Sequence, residues 1–373
     1  MKNLKALIKI ELKPVLFMSI YFLIVNLCGL VVGKVSINKN YLDYLQRGIN
    51  TYVKEPYSNC IYPILIGVGI FTLGGIVLLV YIQFIKDKGV EVGRFLKALP
   101  YTNCQRGFVK IGMGILGYTL PFLILIGEMM LLRQEILEQL QELYNVLGNG
   151  QVTARIVELS ELLKVCFMFY MTFTAIYLFL MLLQYSINDN LGSIVIGLLT
   201  LMAPPFIWIS SSEIYGFFRR INWGMKSIFQ ILFIPSYPIL LEGDKINLVM
   251  KEQGVVYFMT YAEIGHYGFK IMLLIFFIAA CILLIRLTMN QARMEDSDKL
   301  FNNVATKWIF IIGVTLCSGL LIADIGLLFV LPLIMVEENF IVTQLLVVGG
   351  AVIGFIIAYK IGNIGSYKRE EKR

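Results

Sequence analysis

Apolar residues in this chain come in long unbroken runs, without the alternation of a half-buried strand or the one-sided stripe of a soluble helix. Eight runs stand out, at 14–34, 62–85, 108–132, 164–185, 191–211, 269–288, 308–333 and 340–360. Each is long enough to cross a hydrocarbon core about 30 Å thick, for which about 20 helical residues suffice. Inside hydrocarbon an unpaired backbone N–H or C=O is very costly, so a spanning segment is either a helix or a strand of a closed barrel. The runs lack the two-residue alternation of barrel strands. The pattern therefore predicts an all-α fold: a polytopic transmembrane helical bundle of about eight spans, forming a single domain over 1–373.

The segments between the runs refine this picture. The N-terminal MKNLKALIKIELK sets Leu4, Leu7, Ile8 and Ile10 among Lys2, Lys5, Lys9 and Lys13, which suits a short interfacial helix with its lysines toward anionic lipid. A disordered basic tail is the alternative. No small-residue cleavage site follows the first run, so it is expected to stay as a helix and not to leave as a signal peptide. The stretch SIFQILFIPSYPILL, residues 227–241, is apolar but short and broken by Pro235 and Pro238; it reads as re-entrant or interfacial. Three sizeable loops, 35–61, 133–163 and 212–268, fall on one side. The second of these reads as an amphipathic helical pair around Gly148, Asn149 and Gly150.

Composition and charge then fix the class and the orientation. Hydrophobic residues make up 58% of the chain, charged residues 15%, and the mean hydropathy is +0.77, values outside the range of water-soluble proteins. With the N-terminus inside, the cytoplasmic segments hold 19 of the 32 Lys and Arg against 9 acids, so the positive-inside rule is satisfied with both termini cytoplasmic. A ninth span would put the basic tail YKREEKR outside, against that rule. The net charge of +7 follows from this bias, and a nucleic-acid partner is not implied. The expected location is the cell membrane of a bacterium, with the lipid bilayer as surroundings.

Catalytic chemistry is sparse. His266 is the single histidine, so neither a histidine pair for a metal nor a histidine-centred triad can be built. The cysteines at 28, 60, 104, 166, 281 and 317 lack CxxC spacing and read as small apolar packers. Gly112, Gly114 and Gly117 spell G-x-G-x-x-G, but inside a span and without the preceding strand that a dinucleotide site needs. Close helix packing is the expected role, as for Gly29 with Gly33 and Gly350 with Gly354. No G-x-x-x-x-G-K-[ST] occurs anywhere in the chain, so ATP cannot be hydrolysed through a P-loop of its own. No enzyme activity, cofactor or metal is expected.

Two ionisable residues fall inside apolar runs, where they are candidates for function by default. Glu128 lies toward the outer end of the third run, where it can snorkel, meet Arg133 or line a translocation path. Asp324, deeper in the seventh run, is expected to face the bundle or a wet cavity. Pro121, Pro204 and Pro205 offer kinks.

The connection after the second run carries a family resemblance. In KGVEVGRFLKALPYTNCQRGFVKIGMGIL, Arg94 precedes an amphipathic stretch Phe95 to Leu99, Pro100 stops it, and Arg106 and Lys110 follow. Phe95, Leu96 and Leu99 share one apolar helical face. This segment resembles the one that ABC-2 type permeases carry between their second and third spans. A second stretch, RLTMNQARMEDSDKLFNNVATKWIFIIG, is similar to the loop after the sixth span in an eight-span bacterial branch of that family. Arg293, Glu295 and Lys307 match, while Ser297 and Asp298 replace the usual small-residue pair. The resemblance implies the membrane subunit of an ABC transporter, most often an exporter. It also implies a separate ATP-binding subunit docking on Arg94 to Arg106 and around Arg293 and Glu295, and a second permease chain, identical or related. The competing expectations are an ion-coupled secondary transporter, a membrane enzyme acting on lipid-linked substrates, or a sensor that uses the outer loops as a receptor.

Overall fold

The computed structural model describes residues 2–50, 61–85, 87–88, 102–147, 154–156, 158–215, 233–238, 242–252, 255–263, 266–291, 300–302, 304–327 and 340–363. Among them are α1 (Lys2–Asn50), α2 (Ile61–Ile85), α3 (Asn103–Leu147), α4 (Leu159–Ser186), α5 (Asn190–Tyr215), α6 (Tyr267–Gln291), α7 (Val304–Ile325) and α8 (Phe340–Gly362). Each holds one predicted run, except that residues 328–333 of the seventh lie outside the described residues. All eight helices are long and apolar enough to cross a membrane. The protein is a multi-pass membrane protein whose membrane-crossing part is all-α.

Two helices outrun their apolar cores. The segment 2–13 is helical and continues through Pro14 into the first span without a break, and α1 then runs on to Asn50. α3 likewise continues past Arg133 to Leu147. With 49 and 45 residues, both are about 70 Å long at 1.5 Å per residue, more than twice the hydrocarbon thickness. This corrects the division into spans and loops. Most of 35–61 and the first arm of 133–163 are helix continuous with a span, because no Gly or Pro interrupts 34–47 or 128–147. The second arm of the expected helical pair is also corrected: it holds a short strand, β1 (Ala154–Ile156), before α4 begins.

The longest loop contains structure that hydropathy did not signal. β2 (Glu242–Glu252) and β3 (Val255–Glu263) pair antiparallel, and β1 joins the other edge of β3 in parallel, Ala154 opposite Tyr257. The sheet order is β1-β3-β2. Of the broken apolar stretch 227–241, residues 233–238 are described; they hold one 3-10 turn, Ile234–Ser236, with Pro235 and Ser236 buried. The rest of that stretch lies outside the described residues.

The chain packs as two compact units. The first comprises Met1–Gln83, Phe108–Ala175 and Tyr237–Phe276. Here α1 and α3 run parallel, neighbours being offset by a near-constant 95 to 101 positions, from Asn26 at Pro121 to Gln139 at Asn38. Gly33 admits Leu132 and Ile64, and Gly117 admits Val15, as expected of small residues at helix contacts. Gly112 instead faces open space. α4 returns antiparallel to α3: the Tyr118 hydroxyl donates to Thr174 Oγ1 at 3.0 Å, and Phe122 meets Tyr170 and Phe173. Met18, Phe22, Leu65, Ile76 and Leu79 fill the interior.

The second unit comprises Phe84–Gly107, Ile176–Ser236 and Phe277–Arg373. α7 and α8 form its closest pair, antiparallel, with Gly319 against Ala351 and Gly350 against the Ser318 carbonyl and Ile322. The Ser318 hydroxyl lies 3.1 Å from the Gly350 carbonyl. At the far end of the pair Lys307 donates to Asn363 and stands 5.8 Å over the Tyr359 ring.

Candidate functional site

In the first unit, three helices are tied together by a buried polar cluster. Lys110, about two turns into α3, is 3% exposed. Its ammonium pairs with Glu11 of α1 at 3.1 Å and donates to the Gln83 carbonyl in the last turn of α2. The Gln83 amide nitrogen returns the contact, donating to the Lys110 carbonyl at 3.1 Å. A charge taken out of water is stable only where a counter-charge and hydrogen bonds replace its hydration, and Glu11 and the Gln83 carbonyl supply both. Gln83 and Lys110 flank the 86–107 connection, so both of its roots are fastened to each other and to the N-terminal helix.

In the second unit, three connections meet. Lys88, just past the end of α2, donates to the carbonyls of Ile187 and Asp189 at 2.7 and 3.3 Å. Its ammonium also lies 5.7 Å over the Phe84 ring. The Ile187 carbonyl follows the last turn of α4, where carbonyls lack a partner within the helix and carry partial negative charge, so a lysine is a natural cap there; the Asp189 carbonyl also accepts the Ser193 N–H at the start of α5. The same turn pairs with the 300–302 segment. Asn188 N–H donates to the Leu300 carbonyl and Asn302 N–H to the Ser186 carbonyl, both at 2.9 Å, with Ile187 bridged to Phe301. Leu183, Ile187 and Phe301 form an apolar plug beneath. Gly107 completes the junction: a side chain there would collide with the Met289 thioether and crowd the Tyr185 hydroxyl. Asp189 caps the start of α5 through the Gly192 N–H. The connections 86–107, 186–190 and 289–307, which the charge count assigns to one face, thus share one anchorage.

The residues singled out from sequence fall into three groups. Arg94, Phe95, Leu96, Leu99, Pro100, Arg293 and Glu295 lie outside the described residues. Arg106 and Lys110 are described. Arg106 sits in the first turn of α3 and donates to Asn103 Oδ1 at 3.1 Å. That turn opens with a capping box: the Gln105 N–H donates to the Thr102 hydroxyl and the Thr102 N–H to the Gln105 side-chain oxygen, each at 3.2 Å. Lys110 points inward, to Glu11 and Gln83.

Glu128 and Asp324 are also described. Glu128 stays close to the outer end of its apolar run, but that end is not a helix end. α3 continues well beyond it, the residue is buried, and its Oε2 has no hydrogen-bond partner among the described residues. Arg133 is five positions on, well round the helix from Glu128, so the two cannot face each other as an i,i+4 pair would. Asp324 is half-buried in the last described turn of α7, before residues 326–327.

One further buried cation was not foreseen. Lys270, in the first turn of α6, is fully buried and lies 5.5 Å from the Tyr237 ring centroid. Burial pushes the Tyr237 phenol up to about 12. His266, just before α6, has a positive φ of 56° and its carbonyl accepts the Lys270 N–H, a helix-start role. Among the described residues no group of three His, Cys, Asp or Glu could hold a metal ion.

No protein-family model matches this chain, and neither does any curated protein or solved structure.

Proposed function

We propose that this chain is the membrane-spanning permease subunit of an ABC transporter, an exporter driven by a separate ATP-binding subunit and working beside a second permease chain. It resides in the cell membrane with both termini cytoplasmic. The observation that carries this reading is the shared anchorage of the three connections at Lys88, Ser186 to Asp189 and Leu300 to Asn302. A subunit pulling on 86–107 acts on a segment rooted in α2, α3 and the α4–α5 turn together, so its stroke is delivered to the bundle and not lost in a slack loop. Arg94, Phe95, Leu96, Leu99, Pro100 and Arg106 provide the main dock, and Arg293 and Glu295 the second. ATP-driven closure of the partner then tilts spans between two packings.

The test is copurification of the ATP-binding subunit with the chain after Phe95, Leu96 and Leu99 are each changed to Asp. The reading predicts lost association with membrane insertion retained. Unchanged association would remove the docking assignment.

One observation favours a second reading, an ion-coupled transporter that needs no ATPase. Glu128 is a buried carboxyl with an unpartnered oxygen among the described residues, four residues inside the outer end of its apolar run, and ionisable groups within spans mark ion paths. Asp324 is the other acid such a path would use. Transport that survives depletion of ATP and fails in Glu128→Gln would favour it.

A further inference from the structure

Pro121 lies inside α3 and has no N–H, so the carbonyl four residues earlier, that of Gly117, loses its donor within the helix. In an apolar interior such a vacancy must be filled from elsewhere. The donor comes from α1. Ser19 Oγ lies 2.7 Å from the Gly117 carbonyl, closer than its 2.9 Å approach to Val15 in its own helix. The approach is open because Gly117 has no side chain; a Cβ there would sit 2.7 Å from Val15. Two turns further along α1, Asn26 is 2% exposed and donates to the carbonyl of Pro121 itself at 2.7 Å. The proline notch of α3 is therefore occupied on both sides by polar groups of α1.

The same two helices touch at several further points between Glu11–Lys110 and Tyr41–Glu142. Glu11 pairs with Lys110 at one end. Beyond the apolar runs, Lys34 lies 3.9 Å from Glu135, Gln139 donates to Asn38 at 2.7 Å and Tyr41 donates to Glu142 at 3.3 Å. Among these polar contacts and just past the last of them, Ile37 and Tyr44 of α1, and Ile136, Leu140 and Leu143 of α3, are buried. Their spacing of three, four and seven is that of a two-helix seam. Continuous helices zipped in this way resist bending, and the projecting parts extend about 20 Å past the apolar runs at 1.5 Å per residue.

We infer that Ser19 and Asn26 weld α1 to α3 at the proline notch, making the two helices one strut that carries movement at Glu11–Lys110 to its projecting end. Ser19 is the positioning residue: it replaces the hydrogen bond that Pro121 removes. This inference stands apart from the permease reading and holds for any membrane protein with this packing.

The test is a thiol–disulfide equilibrium at the far end of the strut. Asn38 and Gln139 are replaced by Cys in a full-length chain lacking its native cysteines, in lipid nanodiscs, and the oxidised fraction is read in a glutathione buffer. Ser19→Ala should lower the 38–139 disulfide equilibrium constant about threefold, the effect of one interhelical hydrogen bond in a membrane. Ser19→Thr, which keeps the hydroxyl, should restore it. In a Pro121→Ala background, where α3 regains its own bond to Gly117, Ser19→Ala should change nothing. An unchanged constant with Pro121 in place would overturn the strut. An equal fall in both backgrounds would overturn the notch as its cause.

Discussion

At the scale of single residues, the burial of Lys110 decides most. Removing one partner of a buried ion pair strands the other, so Lys110→Ala is expected to cost about 3–5 kcal/mol, while replacing both with apolar groups of similar size is much milder. Glu11→Leu with Lys110→Met should therefore recover most of the loss, measured by unfolding of the detergent-solubilised chain as a double-mutant cycle. Equal damage from the single and double changes would show that the pair is not the source. Sequence singles out Lys110 as a flanking base but cannot supply its partner. Glu11, the one acid among Lys2, Lys5, Lys9 and Lys13, is the available signal. Ser19 and Asn26 are less legible still. Pro121 announces an unpaired carbonyl, but only packing says which helix fills it.

Tyr237 supplies a pH dependence at the same scale. Its phenol is pushed up to about 12 from an ordinary 10.0 by burial. A folded-state value above the unfolded one means that the stability it confers is whole below pH 10 and is lost as pH rises through 12. Thermal unfolding followed across that window should show a decline that Tyr237→Phe reduces. An identical decline in the variant would assign it to other tyrosines or to Lys270.

At the scale of elements, hydropathy locates every span because an unbroken apolar run of about 20 residues, in a chain with so little polar surface to cover it, is stable only in hydrocarbon. It misplaces helix ends for a physical reason. A helix stops where its backbone is interrupted or capped, not where its side chains become polar. Lys34 and Arg133 end the apolar runs, yet no Gly or Pro follows either until Gly48 and Gly148. The strands escape because VVYFMTYA, with its β-branched and aromatic residues, sits in a segment that hydropathy marks only as a loop between spans. The capping box at Thr102 and Gln105 is legible as T-x-x-Q ahead of an apolar run. Thr102→Ala is expected to cost about 1 kcal/mol and to raise amide exchange over 103–107 first; uniform exchange along α3 would argue against a cap.

At the scale of the whole molecule, the eight spans and the charge bias point to one side for the connections after α2, α4 and α6, and those connections meet in a single junction. Gly107 is its tightest point. Gly107→Leu should displace Met289 and slacken the junction, seen as faster proteolysis in 86–107 and 289–307 with the spans intact; an unchanged cleavage pattern would mean the junction does not hold these segments. What the sequence could not reveal was the anchorage itself, because Lys88, Asn188 and Asn302 all bond to backbone carbonyls, and a carbonyl acceptor leaves no residue-type signature.

The most direct measurement is ATP hydrolysis by the proposed ATP-binding subunit, with and without this chain in lipid nanodiscs. A permease joined to its motor through 86–107 predicts a rate that changes when the chain is present and reverts when Phe95, Leu96 and Leu99 are changed to Asp. A rate indifferent to the chain, or a change that persists in that variant, would contradict it.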